Sequence, residues 1–396
     1  MAVMESKNRK SALESLETPP AKKEKRKPLP RVSASPGVIR SVDDAQPLGT
    51  AHASGWDWDF GTLGGGLRPV ARALARGVVR IFATYASSTS HCEGYPCHSR
   101  SSLAGSGAVV AVVAHNDHPG EVDVYVATNN HVVPSKHSGL KLKRVEATAG
   151  VYAPKERDGQ YPRCLKLSSH TKVSSWLGSA SRAAELTRAA DVAFLKCSFP
   201  EFMAAALLVP LTPAGGSGVG DELVGVGYPG SAVLGYAFDS MFKPYQRTAV
   251  HGAAVKASEP DAFAHTAPCK KGLSGMPMAS AALPPGTFIG VHRGRQEVRN
   301  GAAGTSDQPT ANAGISVTAP TFACGLLSYV GLPVVRASGS EYDRADVAEV
   351  VGRLDPFFTA SSEILSASCG KQWRAWKRAV ADVQVESRSE EQQARQ

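Results

Sequence analysis

Cys269-Lys270-Lys271-Gly272-Leu273-Ser274-Gly275-Met276-Pro277 places a serine between two glycines, in a stretch built to turn. Gly272 frees the backbone ahead of Ser274, so the N–H groups of Gly272 and Ser274 can turn inward and hold a developing oxyanion. Gly275 leaves the face of the hydroxyl open. A Gly-x-Ser-Gly-x-Pro string also makes ordinary surface turns, so its meaning depends on what accompanies it. Two stretches upstream supply that company. Ala127-Thr128-Asn129-Asn130-His131-Val132-Val133 ends an apolar strand pattern in a histidine, and Ala190-Asp191-Val192-Ala193-Phe194-Leu195 opens another strand with an aspartate. The chain order is His131, Asp191, Ser274.

A hydroxyl is a weak nucleophile at neutral pH and needs a neighbouring base. In this reading Ser274 attacks a carbonyl and His131 takes its proton. Asp191 fixes the imidazole tautomer and stabilises the imidazolium that forms. Asp158 and Glu146 also lie between the other two members and stand as alternative acids.

These motifs, in this order and with strand patterns around each, resemble the chymotrypsin-like serine proteases. They are most similar to the polyprotein proteases of positive-strand RNA viruses such as sobemoviruses and poleroviruses. The resemblance covers roughly residues 77–335. It implies an all-β fold of two six-stranded antiparallel barrels with the site in the crevice between them, and a serine endopeptidase acting on a polyprotein or peptide. It also implies a substrate pocket. Gly290-Val291-His292-Arg293-Gly294 resembles the glycine-x-histidine strand by which such enzymes select Glu or Gln, with Asn312 as a second donor and Thr266 as a third candidate. The eighteen residues from Ser274 to His292 require an insertion in the intervening hairpin. Lys270, Lys271, Arg293 and Arg295 would lend the crevice a positive field. Leu273 stands where digestive relatives carry an aspartate, so no zymogen switch of that kind is expected.

Composition limits the alternatives. The 396 residues leave room for a sizeable core and more than one domain, and 38 glycines with 26 prolines favour short strands and turns over long helices. The formal charge of +9 suggests attraction to RNA or anionic surfaces but says nothing of fold. Seven scattered cysteines read as reduced thiols, as in a host cytoplasm, without a disulfide framework. The expectation is no membrane span, because arginines interrupt Leu67 to Ala86 and Phe202 to Leu211 is too short, and no secretory signal.

In order, residues 1–66 read as a disordered, basic, Pro-rich region with the run Lys22 to Pro28 for weak RNA contact, the aromatic cluster Trp56 to Phe60 and a Gly64 to Gly66 hinge. The protease domain is expected over 67–335, with barrel 1 about 77–205 and barrel 2 about 221–335. A helical extension follows over 336–396, in which Trp373 and Trp376 are expected to pack. His91-Cys92 and Cys97-His98 invite a zinc reading, but their spacing fits no common finger, so the segment reads as a loop; no metal or cofactor is expected. Glu386-Ser387, with Gln393-Ala394 behind it, is expected as a self-processing site in a frayed tail. Two other classes compete: a cellular quality-control protease of the same fold, and a protease-like fold serving as an RNA-binding or capsid-like module.

Overall fold

The computed structural model describes residues 37–39, 63, 66–86, 91–92, 95–96, 100–134, 136–149, 165–166, 169–173, 191–201, 204, 208–229, 247–257, 261–269, 271–295 and 311–394. All belong to one compact unit, Ala34–Gln396. The basic run at 22–28, the cluster at 56–60, Asp158 and Lys270 lie outside the described residues.

A short strand β1 (Gly37–Ile39) and helix α1 (Leu67–Arg76) precede an N-terminal sheet. That sheet comprises β2 (Val78–Ala86), β5 (Arg100–Ala114), β6 (Glu121–Asn129), β7 (Lys136–His137), β8 (Leu140–Ala149), β9 (Leu165–Lys166), β10 (Ser169–Val173) and β11 (Val192–Pro200). Between β2 and β5, β3 (His91–Cys92) and β4 (Tyr95–Pro96) make a separate small hairpin. The sheet runs β10-β11-β6-β5-β2-β8-β7. It has eight strands where six were expected, and it curls: β9 pairs with β8, while β10, three residues further on, pairs with β11.

The sequence reads directly into this layer. On β6, Val122, Val124 and Val126 face the sheet's interior cluster with Ile81, Leu195 and Phe199, as the period of two requires. The alternate residues Tyr125 and Ala127 are buried too, under the C-terminal helices, so the strand has no exposed face after Glu121.

After β12 (Thr212–Pro213) comes the second half: β13 (Glu222–Gly227), β14 (Thr248–Val255), β15 (Ala262–His265), β16 (Pro277–Ser280), β17 (Thr287–Phe288), β18 (Gly290–Arg295) and β19 (Asn312–Ser316). Hydrogen bonding runs β14-β13-β16-β18-β19-β15 and returns from β15 to β14, which closes a six-stranded barrel. β1 adds to β14 from outside the ring.

The helices begin earlier than position 336. Helix α2 (Pro320–Leu326), a wider π turn (Leu327–Gly331) and α3 (Leu332–Ala337) run together, followed by α4 (Arg344–Ala360) and α5 (Ser362–Ala394). Pro320–Ala337 is long and apolar enough to cross a membrane by length and composition. Two thirds of it is buried, with Phe322 against Phe194 of β11 and Phe288 of β17, as in the core helix of a globular fold. Trp376 packs edge-on to Phe358 and donates to Asp355 Oδ1 at 2.8 Å, and Trp373 is buried beside it. Tyr342 reaches Asp123 of β6, which also holds Lys196 (2.6 Å) and His115 (3.0 Å). Asp346 Oδ2 accepts the N–H of Ala114 at 2.7 Å, so the helices are tied to the sheet by charged hydrogen bonds as well as by apolar contact.

Two further expectations are corrected. Cys324 and Cys369 pair as a disulfide between α2 and α5; 45 residues apart, they gave no motif to the sequence. Glu386-Ser387 and Gln393-Ala394 belong to α5 rather than to a frayed tail, because the helical pattern continues past Val385.

Candidate active site

The closing turn of the N-terminal sheet builds one side of the site. β6 ends at Asn129 and tightens into a single 3₁₀ turn, Asn130–Val132, that carries His131 to the rim. The neighbouring β11 starts at Val192, paired with Asn129, so Asp191 is delivered one residue before the ladder begins. Its φ is +36°, a conformation that few residues other than glycine adopt and that aspartate tolerates.

Four hydrogen bonds hold that backbone. The Asp191 carbonyl accepts from Asn130 N (2.9 Å) and Asn129 Nδ2 (3.2 Å). Its carboxylate takes the main-chain N–H of His131 on Oδ1 (2.8 Å) and meets ring Nδ1 on Oδ2 (2.5 Å). A carboxylate facing Nδ1 fixes the neutral ring as the Nδ1–H tautomer and turns the lone pair onto Nε2. The His131 side chain is 47% exposed and that of Asp191 15%, so the imidazole faces solvent while its partner is sheltered. Glu146 lies on β8, bonded to Arg144 at 2.7 Å, so Asp191 is the acid that meets His131.

The second half supplies the serine turn. Gly272 (φ +94°) and Gly275 (φ +84°) both use backbone that only glycine adopts freely, as the sequence expected of Gly272. Buried Ser106 of β5 fastens the turn to the other half: its N–H donates to Ser274 O (2.7 Å), its hydroxyl donates to Gly272 O (3.1 Å), and that hydroxyl accepts from Tyr228 N (2.8 Å). Thr128, three residues before His131, donates to Ser106 O at 2.7 Å. Each neutral bond contributes about 1 kcal/mol net, but their geometry matters more: together they fix the serine turn against the strand that ends in His131. Both bonds from Ser106 to the turn use carbonyls; the N–H groups of Gly272 and Ser274 take no part in them. Gly105 marks how closely the pieces approach, since a Cβ there would lie 2.6 Å from Val132 and 3.0 Å from Ser274 O.

β18 runs beside the turn, with Gly275 N donating to His292 O and His292 N to Met276 O, both at 2.8 Å. His292 is 2% exposed, and its Nδ1 stands 3.2 Å from Nε2 of His265, which is fully buried. Burial, then the neighbouring His265 and His131, push His292 well below the ordinary histidine range; burial pushes His265 down to about 4. Both rings are neutral. Nδ1 of His265 is buried without a partner among the described residues. A buried lone pair is tolerated better than a buried unpaired N–H, so His265 donates through Nε2 to His292 Nδ1, and His292 keeps its proton on Nε2.

Asn312 donates to Ala267 O at 2.7 Å, one of its two amide hydrogens. The hydroxyl of Thr266 accepts from Ala253 N at 2.9 Å, so it faces β14. Lys271 lies in the serine turn, and Arg293 Nε is 4.0 Å from Asp191 Oδ2.

Sequence reasoning passed over His265. The run Phe263, His265, Ala267 has the period of two that points all three into the barrel, and that signal was present in the chain.

No family model and no curated protein matches the chain. Among solved structures, it is similar to the Rv3671c protease of M. tuberculosis. The inactive form gives a TM-score of 0.35 at 20% identity over 65% of this chain and 91% of that one. The active form gives 0.35 at 20% over 64% and 81%. A likeness of that strength carries no argument about chemistry, which rests on the geometry above.

Proposed function

We propose that this chain is a serine endopeptidase of the chymotrypsin-like kind, and that it cuts a viral polyprotein after Glu or Gln. One observation carries the reading. Asp191 grips both the main chain and the ring of His131, while Ser106 and Thr128 of the same sheet lock the Ser274 turn against them.

In this mechanism Nε2 of His131 removes the proton of Ser274 as Oγ attacks the scissile carbonyl, and the Asp191 carboxylate stabilises the resulting imidazolium. The oxyanion is received by the N–H groups of Gly272 and Ser274. The imidazolium then gives its proton to the leaving amine, and water repeats the sequence on the acyl-enzyme. His292, neutral and held from behind by His265, donates Nε2–H to the side chain before the cut bond, with the second amide hydrogen of Asn312 beside it. A donor of this kind serves the oxygen of Gln or Glu alike. An apolar side chain would leave it unpaired at a cost of about 1–3 kcal/mol. The viral setting and weak RNA contact through the basic N-terminal run rest on the sequence resemblance and composition; the expectation of a host cytoplasm rests on seven reduced thiols, and the Cys324–Cys369 disulfide removes that support.

A fluorophosphonate probe tests the enzyme class. Labelling of wild type that disappears in Ser274→Ala and falls sharply in His131→Ala supports it; a folded wild type that does not label overturns it. A peptide library then tests the pocket: preference for Glu or Gln, lost in His292→Ala, is the expected result, and preference for Arg, Lys or large aromatics overturns it.

A further inference from the structure

Inside the closed barrel, three donors of metal-binding chemistry converge: the imidazoles of His265 and His292 and the thiol of Cys269, with one ligand atom from each within 4.8 Å of the others. His265 and His292 come from β15 and β18, on either side of β19, and Cys269 from the segment leading into the serine turn. Three properties separate this cluster from a chance meeting.

The first is distance. Two nitrogen ligands about 2.0 Å from a tetrahedral ion stand roughly 3.3 Å apart, and His265 Nε2 and His292 Nδ1 are 3.2 Å apart, so neither ring has to move far. The second is softness: two neutral imidazoles and a thiol are a donor set that suits zinc and rejects calcium or magnesium. The third is that the present arrangement is poorly satisfied. Among the described residues Cys269 Sγ makes a long contact, 3.5 Å, to Ala267 O, a carbonyl already occupied by Asn312.

We propose that His265, Cys269 and His292 bind one Zn²⁺ at the base of the pocket beside the serine turn, with water in the fourth position. On binding, the Cys269 thiol releases its proton to solvent and coordinates as thiolate. The metal takes Nε2 of His265, whose proton moves to Nδ1 of the same ring by exchange with water, so both imidazoles stay neutral. A metal on Nδ1 of His292 fixes its remaining proton on Nε2, the tautomer that the hydrogen bond already favours. The site then carries a net charge of +1, from Zn²⁺ and one thiolate. Resting on the pocket assigned above, that charge turns a neutral donor into a cationic one and shifts preference from Gln towards Glu.

The test uses full-length Ser274→Ala protein, which cannot cut itself, titrated with Co²⁺ and then Zn²⁺. The expected result is one Co²⁺ per chain, with the intense visible bands of a tetrahedral site and a thiolate-to-metal charge-transfer band, all displaced by Zn²⁺. Cys269→Ser should abolish the charge-transfer band. His265→Gln should weaken binding by more than the ~10–100-fold typical of losing an outer-sphere partner. A Cys92→Ser/Cys97→Ser double variant should bind as before. Absence of binding at micromolar metal by protein whose circular dichroism is native, or a charge-transfer band that survives Cys269→Ser, overturns the site. In wild type, saturating Zn²⁺ should raise the Glu:Gln ratio of kcat/KM; an unchanged ratio with metal bound overturns the link to the pocket. Metal bound by a protein that no active-site probe labels leaves the site standing and removes the peptidase reading instead.

Discussion

Two histidine pairs lie close together here, and they are opposites. His131 meets a carboxylate at an open rim, on a 3₁₀ turn at the end of a strand. His292 meets another histidine in the interior of a closed barrel, where it is 2% exposed. The difference teaches that partner and burial, not residue type, assign the work. A carboxylate on Nδ1 makes a ring that can receive a proton at Nε2 and carry the charge. A second imidazole donating to Nδ1, in an environment that excludes charge, makes a neutral ring that donates through Nε2.

The largest effect should come from breaking the first pair while leaving its shape. Asp191→Asn keeps a side chain that tolerates φ of +36° and can still accept from His131 N, but its amide favours the wrong tautomer. A fall in kcat of roughly 10⁴-fold is expected, with little change in KM or melting temperature. A fall of less than tenfold would mean that the carboxylate does not control the ring.

The second pair should show itself in acid. Unfolded His265 titrates near 6.5 and the folded residue near 4. Between those values the unfolded chain binds more protons than the folded one. Stability is therefore complete above about pH 6.5 and falls as pH drops towards 4, by about 3 kcal/mol for this group, with His292 adding in the same direction. Urea midpoints measured across that window should slope steeply in wild type and less in His265→Phe; equal slopes would deny the buried pair its role.

A smaller effect should follow in selectivity. His265→Phe roughly preserves volume but leaves His292 Nδ1 without its donor, which frees the ring to hold its proton on either nitrogen. The kcat/KM advantage of Gln over Leu before the cut bond should shrink about tenfold, within the 1–3 kcal/mol that an unpaired buried donor represents. Activity towards a small active-site probe should hold, because the Asp191–His131 pair is untouched. Loss of both together would mean that the two pairs are not separable.

Least of all should come from Arg293→Gln. Its Nε is 4.0 Å from Asp191 Oδ2 and the side chain is about a third exposed, so water and salt screen most of the attraction. A change in kcat/KM below about fivefold is expected, smaller still at 0.5 M salt; a change comparable to Asp191→Asn would place Arg293 inside the machinery.

The local elements of the site were legible along the chain. Strand alternation through Val122, Val124 and Val126 marked the strand that leads into His131, and the two glycines around Ser274 marked the turn, because period and backbone freedom are properties of neighbours along the chain. The pairings came from long-range packing. Asp191 rather than Glu146 meets His131 because β11 pairs with β6 in one register, and no local signal encodes a register between strands more than sixty residues apart. Ser106 showed nothing in the sequence, yet it fastens the serine turn to the other half. Cys324 met Cys369, and His265 met His292, for the same reason: their partners are brought by the packing of helices and the closing of a barrel, which depend on the whole buried surface at once.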